Sequence, residues 1–171
     1  LTIDMDPQGN TTSGLGIEKR NQKLSTYDLL LGDTPVSELI QPVEQVPGLY
    51  IIPSSMDLAG ADIELSQTEN REKVLAERLK EIKPRQFDYI LLDCPPSLGL
   101  LSINALTASD SVIIPMQSEF YALEGISHLL DTINRVNQGL NKDLTIEGVL
   151  LTMYDPRKNL HLEVAKELKK H

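Results

Sequence analysis

The sequence predicts an α/β fold, a doubly wound and mostly parallel sheet with helices on both faces, in a single domain over residues 1–171. Two observations predict it: short apolar runs recur along the chain, and segments with helical periodicity separate them. The runs are continuous rather than alternating, which indicates strands that are buried on both faces of a parallel sheet. Strands that alternate with helices are typical of βαβ units.

Five strands are expected, at residues 1–3, 49–52, 89–92, 111–114 and 146–151. The chain opens inside the first of these apolar runs, and we interpret that run as the truncated end of a strand. Residues 16–48 are the least regular part, because Gly32, Pro35, Pro42 and Pro47 interrupt short helical pieces.

Four helices are expected between and after the strands. Val74, Leu75, Leu79 and Ile82 share one face of a helix that Pro84 ends. The other three are a helix over residues 100–106, a longer one with apolar positions from 123 to 133 that ends near residues 137–139, and a last one over residues 160–170.

Composition excludes several classes of protein. No run of 18 apolar residues occurs, so no membrane span is encoded. The one cysteine, Cys94, excludes an internal disulfide and fits a reducing compartment; a small buried residue is its simplest interpretation. The three histidines and Cys94 lack the spacing of a zinc site.

The formal charge of −9 argues against extensive contact with nucleic acid, but the charge is uneven. Residues 140–171 hold six Lys or Arg against five Asp or Glu. Any contact with a polyanion is therefore expected to be local and near that end. The alternative interpretation of the charge is a solvated acidic surface that keeps the protein soluble.

Two carboxylates follow the first predicted strand. Asp4 and Asp6 are spaced by one residue, and Pro7 and Gly9 then force an irregular turn. Ligands bind at the carboxyl ends of strands in this architecture, so either carboxylate could orient water or hold a hydrated Mg²⁺. Two alternatives stay open: both residues only form the turn, or they hold a metal–nucleotide in a sugar-transferring enzyme.

A third carboxylate, Asp93, follows four hydrophobic residues that end the third predicted strand. This is the Walker B pattern, in which the carboxylate contacts Mg²⁺ directly or through water. Residues 95–96 are both proline, and Gly99 then leads into a helix, where it permits backbone movement. A tight loop whose glycine eases helix packing is the alternative.

The loop after the last predicted strand holds Tyr154 and Arg157. Tyr154 could stack on a nucleotide base or could be an ordinary aromatic residue at the rim. Arg157 and Lys158 begin the less acidic part of the chain, where a solvated pair is the simplest interpretation. No Gly-rich loop with a lysine occurs in the 171 residues, so the usual backbone and lysine partners of a triphosphate are not encoded here.

Five ordered motifs resemble the ParA/Soj-type partitioning ATPases, a deviant-Walker P-loop family. DMDPQGN at residues 4–10 with SGLG at 13–16 resembles the family's switch I region, and PSSMDLAGA at 53–61 is similar to a signature after the next strand. LDCPPSLGLL at 92–101 with NAL at 104–106 resembles Walker B and switch II. EFYALEG at 119–125 and GVLLTMYD at 148–155 resemble two later segments.

The resemblance implies a P-loop NTPase-like protein that hydrolyses ATP to ADP with Mg²⁺. It also implies an ATP-dependent homodimer, nonspecific DNA binding by that dimer, and a ParB-type partner that stimulates hydrolysis. The protein would be cytoplasmic and nucleoid-associated, with no membrane partner. The chromosomal Soj branch resembles the sequence more than MinD does.

The resemblance also assigns roles by motif position. Asp6 is expected to be the catalytic carboxylate that helps place water and Mg²⁺, and Asp93 the Walker B carboxylate at the metal. Two groups of residues are expected to bind the nucleotide: Asp4, Pro7, Gln8, Gly9 and Asn10 in switch I, and Thr152, Met153, Tyr154 and Asp155 by the adenine. Arg157 falls near a position of the family that is linked to DNA contact.

Two departures from the family pattern lead to further expectations. The family's phosphate-binding loop with its strand, and its final segment, do not occur in these residues, so the domain is expected to be truncated at both ends. The loss of an inner strand would expose two unpaired sheet edges, and the isolated chain is expected neither to bind ATP tightly nor to hydrolyse it. Two rival functions stay open: a non-catalytic interaction protein with this fold, and a MinD-like membrane-associated septum-positioning ATPase, which needs an amphipathic helix beyond His171.

Overall fold

The computed structural model describes residues 1–117 and 122–168 of the chain. It consists of two compact units, Leu1–Ala108 (the N-terminal unit) and Ser109–His171 (the C-terminal unit). The start of the motif at residues 119–125 and the end of the last predicted helix, at residues 169–170, lie outside the described residues. A single domain over residues 1–171 stays a prediction.

The N-terminal unit is built on a four-stranded sheet in the order β2-β3-β1-β4. The central strand β1 runs parallel to both of its neighbours, whereas β2 is antiparallel to β3 at one edge. All three residues of β1 are buried, which agrees with its central position. The strands are β1 (Thr2–Asp4), β2 (Gln41–Pro42), β3 (Tyr50–Ile52) and β4 (Leu91–Asp93).

Short helices connect these strands, and their apolar side chains pack with the strands into one core. Ile3, Ile52 and Leu58 are among its fully buried members. The helices are α1 (Asn10–Gly14), α2 (Thr26–Leu31), α3 (Val36–Leu39), α4 (Ala61–Leu65), α5 (Val74–Leu79) and α6 (Leu100–Ala108), with 3₁₀ turns at Lys19–Asn21 and Met56–Gly60.

Local sequence fixes where α2 begins. Ser25 is its N-cap and accepts a hydrogen bond from the backbone N–H of Tyr27 at 3.2 Å, while the Asp28 carboxylate accepts from the backbone N–H of Ser25 at 2.8 Å. This reciprocal arrangement satisfies N–H groups that a helix start otherwise leaves without partners.

The C-terminal unit pairs two parallel strands, β5 (Ser111–Gln117) and β6 (Thr145–Thr152), in a register that shifts between Val112 and Ile113. Its two helices are α7 (Ala122–Gly139) and α8 (Asn159–Leu168). No described helix of either unit is both long and apolar enough to cross a bilayer.

The mostly parallel α/β architecture is confirmed, and each predicted strand and helix has a counterpart at or close to its predicted position. Burial of the strands on both faces is wrong for three of them. Leu91 of β4, Ile113 of β5 and Leu150 of β6 are 59%, 56% and 57% exposed. The physical reason is topological: β4 ends its sheet and β5–β6 is a sheet of two strands, so these side chains lack the neighbours that a central strand has.

Candidate functional site

The carboxyl ends of β1 and β4 lie side by side. Asp4 pairs with Asp93 in the parallel register, and the backbone N–H of Met5 donates to the carbonyl of Asp93 at 2.8 Å. The turn that carries Asp6 therefore leaves the sheet next to the end of β4. The two predicted carboxylate motifs therefore stand on neighbouring strands.

Asp4 is fully buried, and chain groups hold both of its carboxylate oxygens. Its Oδ2 accepts from the backbone N–H of Thr12 at 2.8 Å and from the Thr12 hydroxyl at 2.6 Å, and its Oδ1 accepts from the backbone N–H of Asp6 at 3.2 Å. A buried carboxylate needs such partners, because an unpaired one would be strongly destabilising. These contacts give Asp4 a structural part in the turn; that it also binds nucleotide stays a prediction.

Asp6 is half-buried and lies at the start of a tight turn. Its Oδ1 accepts a hydrogen bond from the backbone N–H of Gln8 at 2.9 Å, and its backbone carbonyl accepts one from the backbone N–H of Gly9 at 2.8 Å. Gly9 has a φ of +58°, a left-handed conformation that glycine adopts without strain, and α1 begins at the next residue, Asn10. The turn points the chain from β1 into α1 within six residues of Asp4, and Pro7 lies inside it.

Asp93 is exposed at the end of β4. Its Oδ2 accepts a hydrogen bond from the Thr11 hydroxyl at 2.5 Å. Thr11 belongs to α1, the helix that follows the Asp6 turn. This contact ties the two predicted carboxylate motifs together through side chains.

Two buried residues with hydroxyl groups, Thr12 and Ser54, complete the site, and the sequence analysis assigned a role to neither of them. Ser54 follows β3 and is fully buried; its hydroxyl donates to the carbonyl of Asp6 at 2.6 Å. Its backbone N–H donates to the Thr12 hydroxyl at 2.9 Å. Ser54 lies in the PSSMDLAGA signature, so a polar residue two positions after a strand was the available signal.

The loop after β4 contains Cys94, which the sequence predicted as buried. The residue is exposed. The environment of its sulfur is nevertheless poorly solvated, and this desolvation, with the adjacent charge of Asp93, raises the pKa of the thiol to about 12. The thiol thus stays protonated at neutral pH.

The same loop ends against the Asp62 carboxylate of α4. Asp62 Oδ1 accepts from the backbone N–H of Leu101, in the first turn of α6, at 3.1 Å. A Cβ added to Gly99 would lie 2.6 Å from Asp62 Oδ2, so the loop can approach this carboxylate closely because residue 99 is a glycine.

The end of β6 and the loop after it belong to the C-terminal unit and hold the second set of predicted site residues. Met153 is 80% exposed with a φ of +52°, and the ring of Tyr154 lies 6.0 Å from that of His161. The Thr152 hydroxyl donates to the carbonyl of Met116 at 3.3 Å. That Thr152, Met153, Tyr154 and Asp155 lie by an adenine stays a prediction.

Arg157 is held by Asp155 in that loop. Its Nε and Nη2 donate to the two carboxylate oxygens, each at 2.9 Å, and its backbone N–H also donates to Oδ1. These hydrogen bonds, the side-chain ones first, lower the pKa of the Asp155 carboxyl. The Arg157 side chain is 87% exposed and that of Asp155 24% exposed. A DNA contact of Arg157 stays a prediction.

Comparison with known proteins adds independent evidence. The model of the AAA domain family matches residues 1–146. The chain is 55% identical to the sporulation initiation inhibitor protein Soj of Bacillus subtilis, over all of this chain and 67% of that protein. It is 51% identical to the chromosome partitioning protein ParA of Myxococcus xanthus, over 99% of this chain and 59% of that protein. The ParA of Caulobacter vibrioides is 47% identical, with 64% of its length covered, so the chain spans about three fifths to two thirds of these relatives.

Solved structures agree with the fold. Cobyrinic acid a,c-diamide synthase of Mycobacterium smegmatis, crystallised with ADP and magnesium, is 36% identical with a TM-score of 0.92 over 99% of this chain and 68% of that one. A plasmid partition protein of Borrelia burgdorferi is 28% identical with a TM-score of 0.84 over 99% of this chain and 72% of that one. With its end-to-end similarity to Soj and ParA and its P-loop NTPase-like architecture, the chain belongs to the ParA/Soj family of partitioning ATPases.

Proposed function

We propose that the protein containing this sequence is a DNA-partitioning ATPase that hydrolyses ATP to ADP with Mg²⁺. The observation that carries the proposal is the junction of the two carboxylate motifs: the Asp6 turn and Asp93 stand at the ends of paired strands, and Thr11 bridges from one to the other. The names of the relatives support the biological role, and the ADP and magnesium of the Mycobacterium smegmatis structure support the ligands.

The residues present fit a magnesium–nucleotide. Mg²⁺ is usually held by one or two carboxylates together with phosphate oxygens and water. Asp93 offers an exposed carboxylate with a hydroxyl beside it, and Asp6 offers a second, half-buried carboxylate one strand away. When bound, the metal would neutralise charge on the phosphates.

The chain's own part is mainly positioning. The Asp6 turn is fixed by hydrogen bonds at its backbone, so its carboxylate is held at the strand end, where it can orient an attacking water. We propose that Asp93 holds the metal and that Thr11 keeps the Asp93 carboxylate in place. We further propose that the Gly-rich phosphate-binding loop comes from a part of the protein outside these 171 residues.

The proposal extends to the finer functions of the family. The protein would dimerise when ATP binds, and the dimer would bind DNA without sequence specificity. A ParB-type partner would stimulate hydrolysis. These steps explain how hydrolysis would release DNA, because the DNA-binding form would exist only with ATP bound.

The test uses the intact protein with Mg²⁺, ATP and DNA, and measures phosphate release and DNA retention. Asp6→Ala is expected to lower kcat by about 100-fold or more while the protein still binds ATP and DNA, because the variant loses the carboxylate that places the attacking water, while Asp93 still holds the metal. Asp93→Asn is expected to raise the Mg²⁺ concentration that gives half of the maximal rate, because a metal ligand is lost. Asp33→Asn, at an exposed carboxylate in a loop, is the matched control and should behave as the parent.

Two outcomes would contradict the proposal at different levels. A parent protein that releases no phosphate under any of these conditions would contradict the ATPase. An active parent whose Asp6→Ala variant turns over at the parental rate would contradict the role given to Asp6 while leaving the ATPase in place.

A further inference from the structure

We propose that Ser54 is a positioning residue for Asp6: its buried hydroxyl holds the Asp6 peptide so that the carboxylate faces the strand end. The inference rests on the proposed function in one respect, the catalytic role of Asp6. Its geometric part stands on contacts within the N-terminal unit alone.

Buried side chains bind both the backbone N–H and the backbone carbonyl of Asp6. The Ser54 hydroxyl donates to the Asp6 carbonyl at 2.6 Å, and Asp4 Oδ1 accepts from the Asp6 N–H at 3.2 Å. Ser54 and Asp4 are each fully buried, whereas Asp6 itself is half-buried. The backbone of Asp6 is thus anchored in the core while its carboxylate remains near the surface.

The two anchors are themselves joined through Thr12. The Thr12 hydroxyl donates to Asp4 Oδ2 at 2.6 Å and accepts from the backbone N–H of Ser54 at 2.9 Å. The network therefore runs from the end of β1 to Ser54, two residues after β3, and back to the Asp6 turn. Buried networks in which each member has a partner are rigid, because any displacement breaks a bond that water does not replace.

Ser54 is more than a packing residue in this network. A serine that only filled space could lose its hydroxyl with a small effect, whereas here the hydroxyl donates to the one backbone carbonyl that also closes the Asp6 turn by accepting from Gly9. Without the hydroxyl the turn keeps its own bond to Gly9 but loses its tie to β3. We therefore expect the turn to form but to be less fixed in position relative to the sheet.

Ser55 provides a matched control at the next position. It is also buried, and its hydroxyl accepts from the Ser25 hydroxyl at 3.1 Å, next to the cap of α2 rather than the Asp6 turn. Ser54→Ala and Ser55→Ala thus each remove a hydroxyl group from a buried serine. Only the first removes a bond to Asp6.

The experiment compares both variants with the parent in the intact protein, by steady-state ATP hydrolysis and by amide hydrogen exchange. Ser54→Ala is expected to lower kcat by about tenfold with KM for ATP within about twofold, since positioning and not binding is lost. Exchange at the Gln8 and Gly9 amides, relative to amides of β1 and β3, is expected to rise about fivefold. Ser55→Ala should leave both quantities near the parental values.

The outcomes separate this inference from the proposed function. Ser54→Ala with parental exchange at Gln8 and Gly9, or with parental kcat, would overturn the positioning role, and so would equal losses in the two variants. If the parent hydrolyses no ATP, the proposed function fails, and the exchange comparison by itself still supports or overturns the anchoring of the Asp6 turn by Ser54.

Discussion

Asp4 and Asp6 stand two residues apart in one motif, yet the structure treats them differently. Asp4 is fully buried, and its two carboxylate oxygens accept hydrogen bonds from Thr12 and from the backbone N–H of Asp6. Asp6 accepts from Gln8 in its own turn and stays partly exposed. Their positions explain the difference, because Asp4 is the last residue of the buried strand β1, whereas Asp6 lies in the turn that leaves the sheet.

Thr12 provides a stability test of this difference. Thr12→Val keeps the shape but removes the donor to Asp4 and the acceptor for the Ser54 N–H, so two buried groups lose a partner. We expect the free energy of unfolding to fall by about 2–4 kcal/mol, measured by urea denaturation. Thr11→Val is the control: its bond to Asp93 is exposed, and a loss below about 1 kcal/mol is expected. Equal losses in the two variants would contradict the buried network.

Cys94 gives a prediction of pH dependence. Desolvation, with the adjacent Asp93 charge, raises the pKa of the thiol to about 12, so the reactive thiolate stays rare at pH 7–9. The rate of alkylation by iodoacetamide is therefore expected to keep rising about tenfold per pH unit up to pH ~10, without levelling off. The unfolded protein in urea, in which the thiol has its ordinary pKa, is the control and should level off near pH ~9. Levelling off at the same pH in the folded protein would contradict the raised pKa.

At the scale of elements, the link between α4 and α6 depends on a glycine. Gly99→Ala places a Cβ 2.6 Å from Asp62 Oδ2, so the carboxylate must move and its bond to the Leu101 N–H weakens. We expect Gly99→Ala and Asp62→Ala each to cost about 1 kcal/mol of stability. The double variant should cost less than the sum of the two single losses, because both break the same contact.

The control for this cycle is Gly139→Ala at the end of α7, where an added Cβ would meet no atom within 4 Å. It is expected to be neutral or slightly stabilising by thermal denaturation. Strict additivity of the Gly99 and Asp62 losses would show that the two residues act independently, against the structure.

The elements also show how much the sequence could predict. Strongly patterned segments such as α7 (Ala122–Gly139) and β6 (Thr145–Thr152) were predictable as elements, α7 from its apolar periodicity and β6 from its continuous apolar run. β2 (Gln41–Pro42) was not, because two residues without an apolar pattern carry no strand signal. Motifs at strand ends indicated Asp6 and Asp93, whereas the contacts of Ser54 with Asp6 and Thr12 join residues 48 and 42 positions apart. Such pairings arise from strand order, which no local pattern contains.

At the scale of the whole molecule, the acidic charge bears on how the protein would bind DNA and the phosphates of ATP. A net charge of −9 would oppose DNA, so DNA binding by the proposed dimer would need a local surface of the opposite sign. The strand ends of the N-terminal unit supply carboxylates, which bind metal rather than phosphate. The proposed phosphate binding would therefore need backbone N–H groups and a lysine that the motifs of these 171 residues do not provide.

This leads to a prediction for the chain by itself. The isolated 171-residue chain is expected to show no saturable ATP binding up to about 1 mM, the upper end of usual KM values, and no hydrolysis above background. A longer chain that contains the Gly-rich lysine loop is the control and should bind ATP and hydrolyse it with Mg²⁺. Calorimetric titration measures binding, and circular dichroism checks that both chains are folded. Tight ATP binding by the folded, isolated chain would contradict the prediction, because the carboxylates would then hold a triphosphate without the electrostatic partners that its charge requires.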